Sequence, residues 1–133
     1  MKVAYLDTSA ALKLVLEEQE SSALLNYLES QADLVLVASW LLFTELQCAA
    51  GRRPLDIPEE LVRQVLDPIE LTDLSRRDLI AAAQHVPLRS ADAIHLAVAL
   101  RLEAHELITY DHELAAASSR LGLRAVSPGA APA

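Results

Sequence analysis

Cysteine occurs once in this chain, at Cys48, so no disulfide can form within it and no cysteine-based zinc site can be assembled. Glycine occurs three times, at Gly51, Gly122 and Gly129, too far apart to build either of the common phosphate-cradling loops. A nucleotide-binding fold is therefore the weakest reading. Aromatic residues make up only 4%, and Ala and Leu fill most apolar positions, a mixture that favours helices because both lose little side-chain freedom there. Long hydrophobic runs are missing as well: the longest nearly apolar stretch, residues 34–43, is about half of what a bilayer-spanning helix needs. The opening MKVAYLDTSA has a single Lys and an apolar run broken by Asp7, which is not the pattern of a signal peptide. A cytoplasmic protein without membrane contact is the expectation. Positive charge is scarce too, with 11 Lys and Arg against 19 Asp and Glu and a net charge of −8. That argues against holding nucleic acid through bulk positive charge, and it favours a basic partner or carboxylates gathered for a metal.

What is present is a folder: 53% of the 133 residues are hydrophobic, enough for one domain that buries roughly two-thirds of its unfolded surface. No repeat or interdomain linker interrupts it. The small, Pro-rich end SPGAAPA, residues 127–133, is expected to fray, which leaves residues 1–126 as the folded domain. Short runs of Val, Ile and Leu at 3–6, 34–38, 69–71, 107–110 and 124–126 read as buried strands. Between them lie helical patterns at 10–16, 21–30, 40–50 (Ser39 as N-cap), 58–66, 75–85, 91–102 (capped by Ser90) and 112–121, the last stopped by Gly122. Strands that alternate with helices and lack hairpin dipeptides imply an α/β fold. The expected form is a three-layer α/β/α domain with a central parallel sheet of about five strands. Such sheets bind ligands beyond the carboxyl ends of their strands.

Four acids stand in positions that this rule makes notable. Asp7 and Asp111 directly follow two of the strand runs. Each reads equally well as a site residue or as an N-cap of the next helix. Glu45 falls on the apolar arc of its helix with Leu41, Leu42, Cys48 and Ala49, where a carboxylate is costly without a partner; a rim position that bends out to water is the other reading. Asp92 lies in the first turn of a helix apolar nearly all round, where the free N–H groups favour an anion whatever its function. His95, one turn on, reads as a satisfied helix-face residue rather than a metal ligand, and His85, His105 and His112 as surface residues. Should the four acids converge, they cannot all stay ionised without a compensating cation. Oxygen-only ligands suit Mg²⁺ or Mn²⁺, and Mg²⁺ joins carboxylates to substrate phosphates. Phosphate-ester chemistry follows from that set.

The stretches LDTSA (Leu6 to Ala10), TEL (Thr44 to Leu46), RSADAIHLAVA (Arg89 to Ala99) and LITYD (Leu107 to Asp111), in that order and spacing, resemble the PIN-domain ribonucleases, and among them the VapC-type toxins. The resemblance runs from about Val3 to Val126. It implies Asp7, Glu45, Asp92 and Asp111 as a catalytic, metal-binding quartet around one or two divalent ions, Mg²⁺ with Mn²⁺ as a substitute. It implies supporting roles for Thr8 or Ser9, in orienting Asp7 or a substrate phosphate, and for the Thr109 hydroxyl. Arg89 is a candidate for holding a phosphate oxygen, with an ordinary surface arginine as the other reading; Arg52 and Arg53 form a basic lip or simply solvated helix-end charges. The implied activity is endoribonuclease hydrolysis by metal-activated water, leaving a 3′-hydroxyl and a 5′-phosphate. The implied partners are RNA, a cognate antitoxin with a basic tail, a second copy of the chain, and operator DNA only through the antitoxin complex.

Two rival readings come from other classes. A phosphatase with an aspartyl nucleophile wants a second Asp two residues after Asp7, where Ser9 stands, and a late lysine that the chain lacks. A non-catalytic protein-interaction module on the same fold would need no metal.

Overall fold

The structure is a computed structural model that describes residues 1–52 and 57–131. Its elements run β1 (Lys2–Leu6), α1 (Thr8–Val15), α2 (Ser21–Ser30), β2 (Leu34–Ser39), α3 (Trp40–Arg52), α4 (Glu59–Leu66), β3 (Glu70–Thr72), α5 (Arg76–Ala82), α6 (Ser90–Arg101), β4 (Glu106–Ile108), α7 (His112–Arg120) and β5 (Arg124–Val126). The five strands form one sheet in the order β3-β2-β1-β4-β5, every pair parallel. Helices cover both faces, giving the three-layer α/β/α architecture; α1 packs with α2, α3 and α4, while α6 packs with α5 and α7.

Strand order explains where a site belongs. The chain builds outward from β1 through β2 to β3, then returns to the other side of β1 for β4 and β5. Right-handed crossovers running in opposite directions put their helices on opposite faces, so the connections part above β1 and β4. Both strands are buried along their length, with Ala4, Tyr5, Leu6, Leu107 and Ile108 wholly inaccessible. The core continues through Leu42 and Leu46 of α3 and Leu96 of α6, each burial contributing about 1.5–3 kcal/mol.

Several boundaries differ from the sequence expectation for physical reasons. β4 ends at Ile108, so Asp111 does not directly follow it. Side chains take over where the ladder stops: the Tyr110 N–H donates to Ser9 Oγ (2.9 Å) and the Asp111 N–H to Thr109 Oγ1 (3.0 Å). α5 stops at Ala82 rather than reaching His85, passing into 3₁₀-type turns before Pro87, whose ring disfavours helical geometry at the residue ahead of it. Ser90 is the first residue of α6 rather than its cap; the cap position is Arg89, which makes no side-chain cap bond, and the acid of the first turn is Asp92. Cys48 is exposed, and Leu46 takes the buried position instead, so the inward stripe of α3 is Leu42, Leu46 and Ala49 with Glu45 at its edge. Past β5, the Ser127 hydroxyl donates to the Thr109 carbonyl and the Tyr110 hydroxyl to the Pro128 carbonyl (2.7 Å). Arg53 of the expected basic lip, and Pro132 and Ala133 of the tail, lie outside the described residues.

Candidate active site

Asp7 leaves β1 in extended geometry and caps α1, its Oδ1 accepting from the Ala10 N–H at 3.0 Å. Asp111 does the same for α7, accepting from the Leu114 N–H at 2.8 Å. The capping reading and the site reading are thus not alternatives, since a cap needs only one carboxylate oxygen. Asp7 is 2% exposed and held on both oxygens: Ser9 donates to Oδ1 (2.8 Å) and Thr109 to Oδ2 (2.7 Å). Thr109 Oγ1 also accepts the Asp111 N–H, so one hydroxyl ties the acid after β1 to the acid beyond β4. Asp92 reaches the same place from the first turn of α6.

Electrostatics bring these three together. Burial, the Asp111 charge and the Asp7 charge, in that order, push the Asp92 carboxyl up to about 6. Burial also raises Asp7 above the ordinary carboxyl value, against the opposing bonds from Thr109 and Ser9. The one arginine paired with the cluster is Arg89, whose guanidinium lies 3.7 Å from Asp111 Oδ2 on a side chain that is 81% exposed. A largely solvated cation at that distance offsets little.

Glu45 arrives by a different route. Its Oε1 accepts from Thr8 Oγ1 and lies against His95 Nε2, both at 2.6 Å. Burial pushes the Glu45 carboxyl up, but the bonds from His95 and Thr8 outweigh it and hold the group below its usual range. Thr8 therefore serves Glu45 and Ser9 serves Asp7, neighbouring hydroxyls facing different acids. His95, 1% exposed, is a buried side chain and not a helix-face residue of ordinary kind: its Nδ1 meets the Tyr5 hydroxyl at 2.7 Å. Tyr5 and the inward role of His95 escaped the sequence. The available signal was a tyrosine inside a buried strand and a histidine on an apolar helix, each of which needs a polar partner.

The donor set of Asp7, Asp92 and Asp111 is all oxygen and short of positive charge, which fits a hard divalent cation. As placed, no three His, Cys, Asp or Glu among the described residues are drawn tightly enough to ligate one ion together. Asp7 is locked by three hydrogen bonds, whereas Asp92 and Asp111 are partly exposed and have room to turn.

The sequence profile of the PIN domain matches residues 4–119. The chain belongs to the PIN-domain family. Relatives of this PIN-domain chain include Ribonuclease VapC35 of Mycobacterium tuberculosis, 37% identical over 137 aligned positions that cover 96% of this chain and 98% of the relative. Ribonuclease VapC46 of the same species is 36% identical, covering 96% of this chain and 99% of the relative. Among solved structures, the fold is similar to Mycobacterium tuberculosis VapC20, described as a sarcin–ricin loop cleaving toxin, with a TM-score of 0.74 at 15% identity over 94% of this chain and 99% of that one. It is also similar to VapBC2 from Rickettsia felis bound to a promoter DNA fragment, with a TM-score of 0.70 at 17% identity over 93% of this chain and 97% of that one. At such identities the solved structures speak for the fold alone. No helix among the described residues is long and apolar enough to cross a membrane.

Proposed function

We propose that this PIN-domain chain is an endoribonuclease, the toxin of a VapBC-type toxin–antitoxin pair, which hydrolyses RNA phosphodiester bonds at the carboxyl ends of β1 and β4. The observation that carries the reading is the cluster of Asp7, Asp92 and Asp111, three acids sharing one field with only a solvated arginine to offset them. Ribonucleases of the family generally depend on a divalent metal, and here the oxygen-only donors favour Mg²⁺, with Mn²⁺ able to substitute. Such an ion, when bound, polarises a phosphate and lowers the pKa of a water.

The chain's own residues supply the rest. Asp7, fixed by Ala10, Ser9 and Thr109, offers a rigid anchor; Asp92 and Asp111 complete the acid set. Glu45, steadied by Thr8 and His95, is the fourth acid, suited to a water or the outer face of the ion. Arg89, exposed beside Asp111, is placed to reach a phosphate oxygen of the substrate. Cleavage leaves a 3′-hydroxyl on one fragment and a 5′-phosphate on the other. A net charge of −8 suits an antitoxin whose Arg or Lys enters the acid cluster. The protein acts in the cytoplasm as a homodimer and meets operator DNA only through the antitoxin complex. The test is sequencing of 5′-phosphate RNA ends after induction without antitoxin, with Asp7→Asn as control. Discrete new ends that vanish in the variant support the reading; ends identical in both, at equal protein levels, overturn it.

A further inference from the structure

We propose that Tyr5 and His95 form a directional hydrogen-bond relay that positions Glu45, with His95 held as the neutral tautomer carrying its proton on Nε2. The inference rests on the reading of Glu45 as a working acid of the site. Tyr5 is 0% and His95 1% exposed, so every polar hydrogen here must be satisfied from within.

Following the hydrogens fixes the direction. His95 Nε2 faces two oxygens, Glu45 Oε1 at 2.6 Å and Thr8 Oγ1 at 3.3 Å. Thr8 has a single hydroxyl proton, and it goes to Glu45 Oε1. Both neighbours of Nε2 are thus acceptors, and Nε2 carries a hydrogen. At the other end, Tyr5 Oη accepts the Ser39 N–H at 3.2 Å, and its own hydrogen has one recorded partner, His95 Nδ1 at 2.7 Å. Nδ1 therefore accepts. A proton on Nδ1 would leave the Tyr5 hydroxyl hydrogen buried without a partner, a cost of about 1–3 kcal/mol. The chain reads Ser39 N–H to Tyr5 O–H to Nδ1, then Nε2–H to Glu45.

The consequence falls on Glu45. Its bonds to Thr8 and His95 both land on Oε1, which fixes the carboxylate plane and turns Oε2 to face the site without a bond to any described side chain. Partners one step beyond a ligand that orient it in this way typically carry 10–100-fold in metal affinity. Tyr5 and His95 are positioning residues, acting through Glu45 rather than on substrate.

Isotope-labelled full-length protein kept metal-free with EDTA, then compared with His95→Gln, assigns the His95 ring nitrogens among the four histidines by long-range proton–nitrogen correlation. The relay predicts a bare Nδ1 and a protonated Nε2 in the wild type. Tyr5→Phe keeps the ring and should disturb that pattern, and it should weaken Mn²⁺ binding, read by calorimetry, about tenfold. His95→Gln, which keeps an amide donor toward Glu45, should retain more Mn²⁺ affinity than His95→Leu. A wild-type spectrum with the proton on Nδ1 overturns the relay, as does Tyr5→Phe with unchanged ring signals and unchanged Mn²⁺ affinity. If Tyr5→Phe does not fold, the wild-type spectrum decides alone. A wild type that binds no Mn²⁺ sinks the metal-site reading, while its spectrum still judges the relay.

Discussion

Asp78 and Glu106 are buried acids outside the candidate site, and each has a cation to itself. Asp78, 2% exposed on α5, forms a capping box with Ser75 and receives two bonds from Arg101, at 2.6 and 3.0 Å. Burial pushes its carboxyl up, but Arg101 and Ser75 outweigh that and leave it below the ordinary range. Glu106, wholly buried at the start of β4, accepts from the Tyr27 hydroxyl at 2.6 Å on Oε1. Its Oε2 faces Lys2 Nζ at 3.0 Å, an ion pair rather than an aligned hydrogen bond. At the opposite end of the sheet, Asp7, Asp92 and Asp111 face one another instead, and Asp92 rises to about 6. The difference teaches how to tell a structural acid from a working one. A fold that neutralises its other buried acids one by one, yet leaves three together, has kept a place for a cation that is not part of the chain.

The largest expected effect comes from removing a charge from the unneutralised group. Asp7→Asn keeps the shape and the cap geometry but should lower RNA cleavage roughly 10²–10³-fold, since a metal-held phosphate contributes several kcal/mol to the transition state. Single-turnover rates on a labelled RNA, at matched folded protein, check it. Activity within about threefold of wild type would show that the cluster is only a structural curiosity.

The paired acids should respond in the opposite currency, stability without chemistry. Arg101→Ala leaves Asp78 buried without its cation and should cost about 1–2 kcal/mol, discounted because 41% of the arginine side chain is solvated. That appears as a melting temperature lower by several degrees, equal with and without Mn²⁺. An effect that metal reverses would erase the distinction between the two regions.

A smaller effect, of reversed sign, belongs to Asp92. Its carboxyl sits near 4 in the unfolded chain and about 6 in the folded one, so the native state binds more protons between those values. The stabilisation is full below pH about 4 and is lost as the pH rises through about 6. Metal-free Asp92→Asn should therefore show a flatter melting temperature from pH 4 to 7, and a value on the order of a few degrees higher at neutral pH. Loss of the anion in the first turn of α6 opposes the gain by about 0.3–1 kcal/mol, which makes the slope the sharper readout. A wild-type slope as flat as that of the variant would mean the acids do not feel one another.

How much of this was legible follows the same division. The parallel sheet could be read because strands buried on both faces become runs of Val, Leu and Ile, and the acids at their ends could be read because a covered sheet puts ligands there. Boundaries failed where side chains replaced backbone bonds, as Ser9 and Thr109 do beyond β4. Periodicity placed Glu45 at the edge of the α3 stripe but put Cys48 inside it, because a helical wheel does not say which side of an arc is covered. Tyr5, His95 and Glu45 meet across 90 and 50 residues of sequence, and only the folded packing of β1, α3 and α6 brings them together.

The most direct test of the central claim is the thermal shift that Mn²⁺ produces, measured against EDTA in wild type, Asp7→Asn, Asp92→Asn and Arg101→Ala. Binding to the native state at a hundredfold excess over Kd stabilises by about 2.7 kcal/mol. The wild type and Arg101→Ala should gain that increment alike, while Asp7→Asn and Asp92→Asn should lose most of it. Equal shifts in all four proteins would contradict a shared cation site at the carboxyl end of the sheet.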